Sequence, residues 1–151
     1  MILQVRHLQR SKVPASFQIL QHRRLALFTY AGFVTIAEAQ AVIIACSAHP
    51  KHHPSMRQFC DLSAVTGVER NFPELLKMQA KILEEMGPAG PELLVMFYAP
   101  NRSGQELAQM ARKSWEGLDS VIVLIQETEA DAMAVLGLPE ASLADLMASA
   151  G

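Results

Sequence analysis

Cysteine is nearly absent from this sequence: Cys46 and Cys60 are the only two in 151 residues and stand 14 positions apart. That spacing is no CxxC pair, and neither thiol has a cationic neighbour that would lower its pKa, so thiol catalysis is not expected. Both lie in apolar-patterned segments, where free thiols behave as small hydrophobes, and both are expected to be buried and reduced. Charge of one sign is also lacking. Thirteen basic residues face fifteen acidic ones for a net charge of -2, and the basic residues are scattered apart from a small excess in the first 24 positions. Nucleic acid is therefore not an expected partner. No apolar run approaches the roughly 20 residues needed to cross a bilayer, and the strongest, Leu93 to Ala99, is of strand length. The stretch Met1 to Ser16 carries Arg6, Arg10 and Lys12 without a continuous apolar segment behind them, so neither a signal peptide nor a membrane span is expected, and the location expected is cytoplasmic. GxSxG, HExxH and phosphate-loop glycines are missing too. The expectation is a non-enzymatic protein with no cofactor.

Half of the residues are apolar and 19% are charged, a composition that builds one globular core. We expect an N-terminal arm over residues 1–15 and a single domain over 16–151. Two β-like runs, Phe17 to Leu20 and Leu25 to Tyr30, flank the polar group Gln21 to Arg24 and read as a hairpin, with Gly32 ending the second run. Thr35 with Glu38 forms a capping box that starts a helix at Ile36, and Pro50 stops it near Ala48. A short strand over Met56 to Leu62 follows. Asn71 with Glu74 opens a second helix, whose stripe Leu75, Met78, Ile82 and Met86 runs to about Met86.

Residues 87–91, Gly-Pro-Ala-Gly-Pro, form a turn-rich connection, and Leu93 to Tyr98 shows no alternation, as in a strand buried on both faces. Ser103 is read as the cap of a third helix that ends near Gly117, and Val121 to Ile125 as another fully buried strand. Thr128 with Asp131 starts a fourth helix, Gly137 and Pro139 break it, and Ser142 caps a short C-terminal one whose last small residues fray. A hairpin followed by alternating helices and strands demands crossovers. The fold expected is α/β: about five strands in a mostly parallel mixed sheet with an N-terminal hairpin, packed by about four helices.

In that order of elements, Asp61, Leu62, Ser63, Ala64, Val65 and Thr66 resemble the Asp-Leu-Ser-x-Val-Thr signature of the STAS family, the anti-sigma-factor antagonists. The resemblance spans roughly Ser16 to Leu138. Its Pro-containing loop before a strand ending in Asp-Leu, His49 to Leu62 here, is most similar to the uncharacterised bacterial, SpoIIAA-like branch. The resemblance implies a regulatory or adaptor domain that binds a partner protein through the loop and helix after Asp61. The residues in that position are Asp61, Ser63, Thr66, Val68, Glu69, Arg70 and Asn71, with Val68, Glu69 and Arg70 forming a mixed apolar and charged patch. In the family, the motif continues to a phosphorylated serine at the next helix start. Here Glu69, Arg70, Asn71 and Phe72 occupy those positions, so the phosphorylation switch is not expected.

His49, His52 and His53 share one loop, which raises a metal reading; no cysteine or carboxylate lies close in sequence, and a solvated loop without metal is the expectation. Asp61, at a strand's carboxyl end, has the position of a functional acid, or else fixes the following loop by accepting backbone N–H bonds. Asn101, Arg102 and Ser103 at a helix start could hold an anion, and ordinary capping accounts for the same residues. Met78, Met86, Met96 and Met110 with Phe97 and Trp115 form either plain core or a pocket for a small apolar ligand or lipid. The pocket between sheet and helices stands as the alternative to the adaptor reading, since STAS-like folds resemble lipid-carrier domains whose helices open over a sheet. A sheet of this kind with an edge hairpin also carries the expectation of a homodimer.

Overall fold

The structure, a computed structural model, describes residues 14–86 and 92–149. The expected arm falls almost wholly outside them, as do the Gly-Pro connection at 87–91 and the last two residues of the C-terminal tail. Five strands form one sheet in sequential order: β1 (Ala15–Leu20), β2 (Leu25–Val34), β3 (Arg57–Val68), β4 (Leu93–Tyr98) and β5 (Val121–Gln126). β1 and β2 are antiparallel, joined through a 3-10 turn at Gln21–Arg23 and Arg24 in a left-handed conformation; the other three pairings are parallel. Five α-helices complete the described chain, the short C-terminal one capped by Ser142 included: α1 (Ile36–Ser47), α2 (Phe72–Met86), α3 (Arg102–Ser114), α4 (Glu129–Val135) and α5 (Leu143–Ala148).

The caps explain where the helices start. The Thr35, Asn71, Thr128 and Ser142 side chains each accept the backbone N–H three residues on, satisfying donors that the first turn leaves orphaned. Asn101, not Ser103, does this for α3, accepting from Gly104 N at 2.8 Å. Successive right-handed crossovers that step in one direction along a sheet all fall on one face, which places α1 and α3 together. They pack on Ala26, Phe28, Cys60, Leu62, Val95 and Phe97. The alternate residues Leu25, Leu27, Phe59 and Met96 face the other way and are covered by α4 and α5 through Ala132, Met133, Leu136, Leu143 and Leu146. The strand expected at Val121 to Ile125 is present but lies at the sheet's edge, so it is half-buried, and Ile122 is exposed. No described helix is long and apolar enough to cross a membrane.

β2 and β3 outrun their neighbours. Gly32 does not end β2, which continues to Val34, and β3 runs on to Val68, six residues past the expected Leu62. Register shifts between Thr29 and Ala31 and between Gly32 and Phe33 mark the bulges that let the pair continue while breaking the alternation. β4 stops at Tyr98, opposite Asp61, so beyond Asp61 the second edge of β3 has no strand beside it. α3 takes that place. A Cβ at Gly104 would lie 3.1 Å from Leu62 O and 3.2 Å from Leu62 Cβ, so any larger residue would press the first turn of α3 against the β3 backbone, which would have to give by a few tenths of an ångström. Gly104→Val, mildly favourable by helix propensity alone, should therefore destabilise the fold by about 1–3 kcal/mol through overpacking, measured by urea unfolding.

Candidate functional site

The residues singled out after Asp61 are not a loop. Ser63 to Val68 belong to β3, and Glu69 to Asn71 alone connect it to α2. Val68, expected on the surface, is buried, because the continuing strand turns its side chain to the helix-covered face. Ser63, Thr66, Arg70 and Asn71 are exposed. Asp61 Oδ1 accepts Ser63 N at 3.0 Å and Ser63 Oγ at 2.7 Å. Glu69 Oε1 accepts Ile36 N, an orphan donor of α1, at 2.9 Å, and Arg70 pairs with Glu106 of α3. The candidate anion site meets this segment directly: Asn101 Nδ2 donates to Ser63 O at 2.9 Å and Ser103 Oγ to Thr66 O at 3.0 Å. Two of its three residues thus serve the free edge of β3, while Arg102 is exposed. A further residue here is Phe33, 59% exposed, whose ring lies over Gly67 so closely that a Cβ there would come within 2.9 Å. Reading Gly32 as a strand end hid it.

Among the described residues, no group of three His, Cys, Asp or Glu is placed to hold a metal. His49 and His53 shape their own loop, each accepting through Nδ1 the N–H two residues on, and the His49 ring meets Phe17 edge-on at 5.9 Å.

The second candidate lies between the sheet and the helices. α2 rests on α1 and α3 rather than on the sheet, through Leu75, Met78 and Ile82 packed with Ile36, Ala39, Ile43 and Met110. Beneath it is a cavity of about 90 Å³. Tyr30, Cys60, Val95 and Phe97 form its floor, Ile43 of α1 and Ala111 of α3 stand at its sides, and Trp115 lines it as well. Of the residues that sequence reading nominated for a pocket, Met78, Met110, Phe97 and Trp115 line it. Met96 does not: it neighbours Phe97 in a strand, points to the opposite face and packs with α4 and α5. The side chain of Met86 lies outside the described ones.

Polar groups that sequence reading missed also line the cavity: Tyr30, Gln58 and Gln79. Gln79 Nε2 donates to Ser114 Oγ at 2.8 Å, joining α2 to α3. Its signal was present, since Gln79 stands four residues after Leu75 on the apolar stripe. The Tyr30 hydroxyl is held well above its ordinary pKa by burial, then by the neighbouring Cys60 and Cys46 thiols, so it stays neutral. Burial, then Asp61 and Cys46, pushes the Cys60 thiol up as well. Burial also raises Cys46, to about 11. The Glu69 carboxylate and Thr35 stand at one end of the cavity.

A comparison with protein-family models finds none that matches the chain, and a comparison with curated proteins finds no significant match.

At pH 8 a thiol of pKa about 11 is roughly one part in a thousand thiolate. Native protein should leave both cysteines unmodified by Ellman's reagent over minutes, and denaturant should release two reactive thiols per chain. Rapid reaction of Cys60 in the native protein would mean that the cavity floor is open to solvent.

Proposed function

We propose that this chain is a non-enzymatic binding domain that holds a small apolar ligand between its sheet and α1, α2 and α3. The observation that carries the reading is an apolar cavity roofed by a helix that does not rest on the sheet. Such a helix can rise without breaking a strand pairing, and among the described residues the groups around the cavity are apolar or neutral apart from Glu69 at one end. Apolar enclosures with a few polar groups are the usual form of small-molecule sites. N-phenyl-1-naphthylamine, whose emission rises and shifts to the blue in apolar surroundings, should saturate at one molecule per chain. Ala111→Leu fills the cavity from its α3 wall: it should weaken the probe at least tenfold without lowering the melting temperature, because the added carbons occupy a void instead of overpacking a filled core. Absence of binding, or an affinity that Ala111→Leu leaves unchanged, would sink the reading.

A second reading, the adaptor domain that the STAS resemblance implies, draws support from Phe33. An exposed aromatic ring beside the exposed Ser63, Thr66 and Arg70 offers the apolar anchor that protein interfaces centre on. In this reading the domain is a bacterial cytoplasmic regulator without the serine switch, and a partner protein docks at the carboxyl ends of β2 and β3. Glu69 and Arg70 make poor test positions because both bond to neighbouring helices. Phe33→Ser removes the anchor from an exposed site and should leave folding near normal. A protein that co-purifies in stoichiometric amount with the wild type, and is lost with Phe33→Ser, supports the adaptor reading; retention by the variant counts against this surface.

A further inference from the structure

A second cavity adjoins the one under α2. The two share Ile43, Gln58, Ile82 and Leu93, and the second, of about 270 Å³, is bordered by Ser47, His52 and Met56 beside the C-terminal half of α1. Together the two follow α1 from Thr35 to Ala48, a distance of about 20 Å at the rise of an α-helix. A fully extended aliphatic chain advances roughly 1.25 Å per bond for carbon–carbon bonds of about 1.5 Å. About 16 bonds cover that length. The path is long, and its length matches that of an extended aliphatic chain.

The two ends differ in chemistry. At the Thr35 end stands the Glu69 carboxylate, which repels an anionic head. At the other end Ser47 and His52 offer a hydroxyl and an imidazole, the Gln58 amide stands where the two cavities meet, and among the described residues no acidic side chain lines the second cavity. All three can donate hydrogen bonds to an acceptor. Burial and then the adjacent His53 lower the His52 pKa, which favours an uncharged ring whose N–H a carboxylate can accept. The walls between the two ends are mostly aliphatic and aromatic, with the neutral groups of Tyr30, Gln58 and Gln79 among them.

We infer that the two cavities act as one path that binds a straight-chain carboxylate, its aliphatic tail under α2 and its head group in the second cavity, within reach of Ser47, His52 and the Gln58 amide at the junction. This inference rests on the apolar-ligand reading of the cavity under α2 and adds the ligand's class and direction. Each methylene that enters should tighten binding about fourfold, the equivalent of about 0.8 kcal/mol, until the tail has filled the run beneath α2.

Trp115, the chain's one tryptophan, lines the cavity under α2 that takes the tail and reports on its filling. The full chain is titrated with even-numbered saturated carboxylates from octanoate to octadecanoate, below micelle formation, reading Trp115 emission. Affinity should climb steeply with length and level off near hexadecanoate. Gln58→Leu should weaken hexadecanoate at least tenfold while changing hexadecanol less than threefold, and His52→Phe provides the same test if Gln58→Leu does not fold. Glu69→Gln keeps an acceptor for Ile36 N and should leave hexadecanoate affinity within threefold. Affinity that ignores chain length, equal losses for acid and alcohol in the head-end variant, or a tenfold gain in Glu69→Gln would each overturn the inference, the last by placing the head at the opposite end. If N-phenyl-1-naphthylamine binds and no carboxylate does, the inference falls and the apolar-ligand reading stands; if neither binds, both fall.

Discussion

Beyond Asp61, β3 has a partner on one side only, and its carbonyls on the other side must find donors. A protein donor spares such a carbonyl its dependence on water, and α3 lies along that edge. The first turn of α3 does so with two side chains, Asn101 on Ser63 O and Ser103 on Thr66 O, and Gly104 permits the contact distance. Much of the site geometry follows. With α3 fixed against β3 and α1 held at the β2 side by Thr35 and by Glu69 on Ile36 N, the two helices stand apart over the middle of the sheet. The gap between them exposes Tyr30, Cys60, Val95 and Phe97, and α2 spans it.

α2 is thus a second layer on a two-layer face. Its apolar stripe meets the upper flanks of α1 and α3, which explains why Ile36, Leu75, Met78 and Ile82 form a cluster separate from the core on the sheet. A helix packed directly on strands would fill the space below it with its own side chains, as α4 and α5 do on the opposite face with Met133, Leu136, Leu143 and Leu146. The two faces therefore differ for a topological reason. One takes three crossover helices in sequence, the middle one packed on the other two; the other takes a short C-terminal pair packed on the strands.

Local signals were legible where they were complete in themselves. Thr35, Asn71, Thr128 and Ser142 could be read as caps because their partners lie three residues on. In Asn101-Arg102-Ser103-Gly104 two residues could cap, and the choice depended on β3: its length reserves Ser103 for Thr66 O. That length was itself hidden, since Ser63, Ala64, Thr66 and Gly67 carry no strand-like alternation and pair with β2 only across bulges. The pocket was half legible. Met78, Met110, Phe97 and Trp115 were nominated by residue type, and strand parity should have set Met96 apart from Phe97, because neighbours in a strand face opposite ways. Gln58 carried the same kind of clue, standing two positions before Cys60 on the same face of β3.

What holds α2 down decides how readily the space beneath it can be used. Arg70 with Glu106 is an exposed ion pair, and Lys113 lies 5.5 Å from the centre of the Phe72 ring at the same end of the helix. Contacts of this exposed kind are worth about 1 kcal/mol or less each. Farther along, Gln79 on Ser114 Oγ is buried, and breaking it would leave polar atoms unpaired in an apolar setting. The N-terminal part of α2 is therefore tethered to α3 by polar contacts, while much of its remaining hold comes from Leu75, Met78 and Ile82 on α1 and α3. Apolar contact is interchangeable in a way that hydrogen bonding is not: an aliphatic chain sliding between α2 and the sheet offers the same side chains a new surface of the same kind. Lifting the helix over such a chain costs little apolar burial and keeps the Gln79 bond if the movement is small. The arrangement favours a thin, flexible occupant over a bulky one.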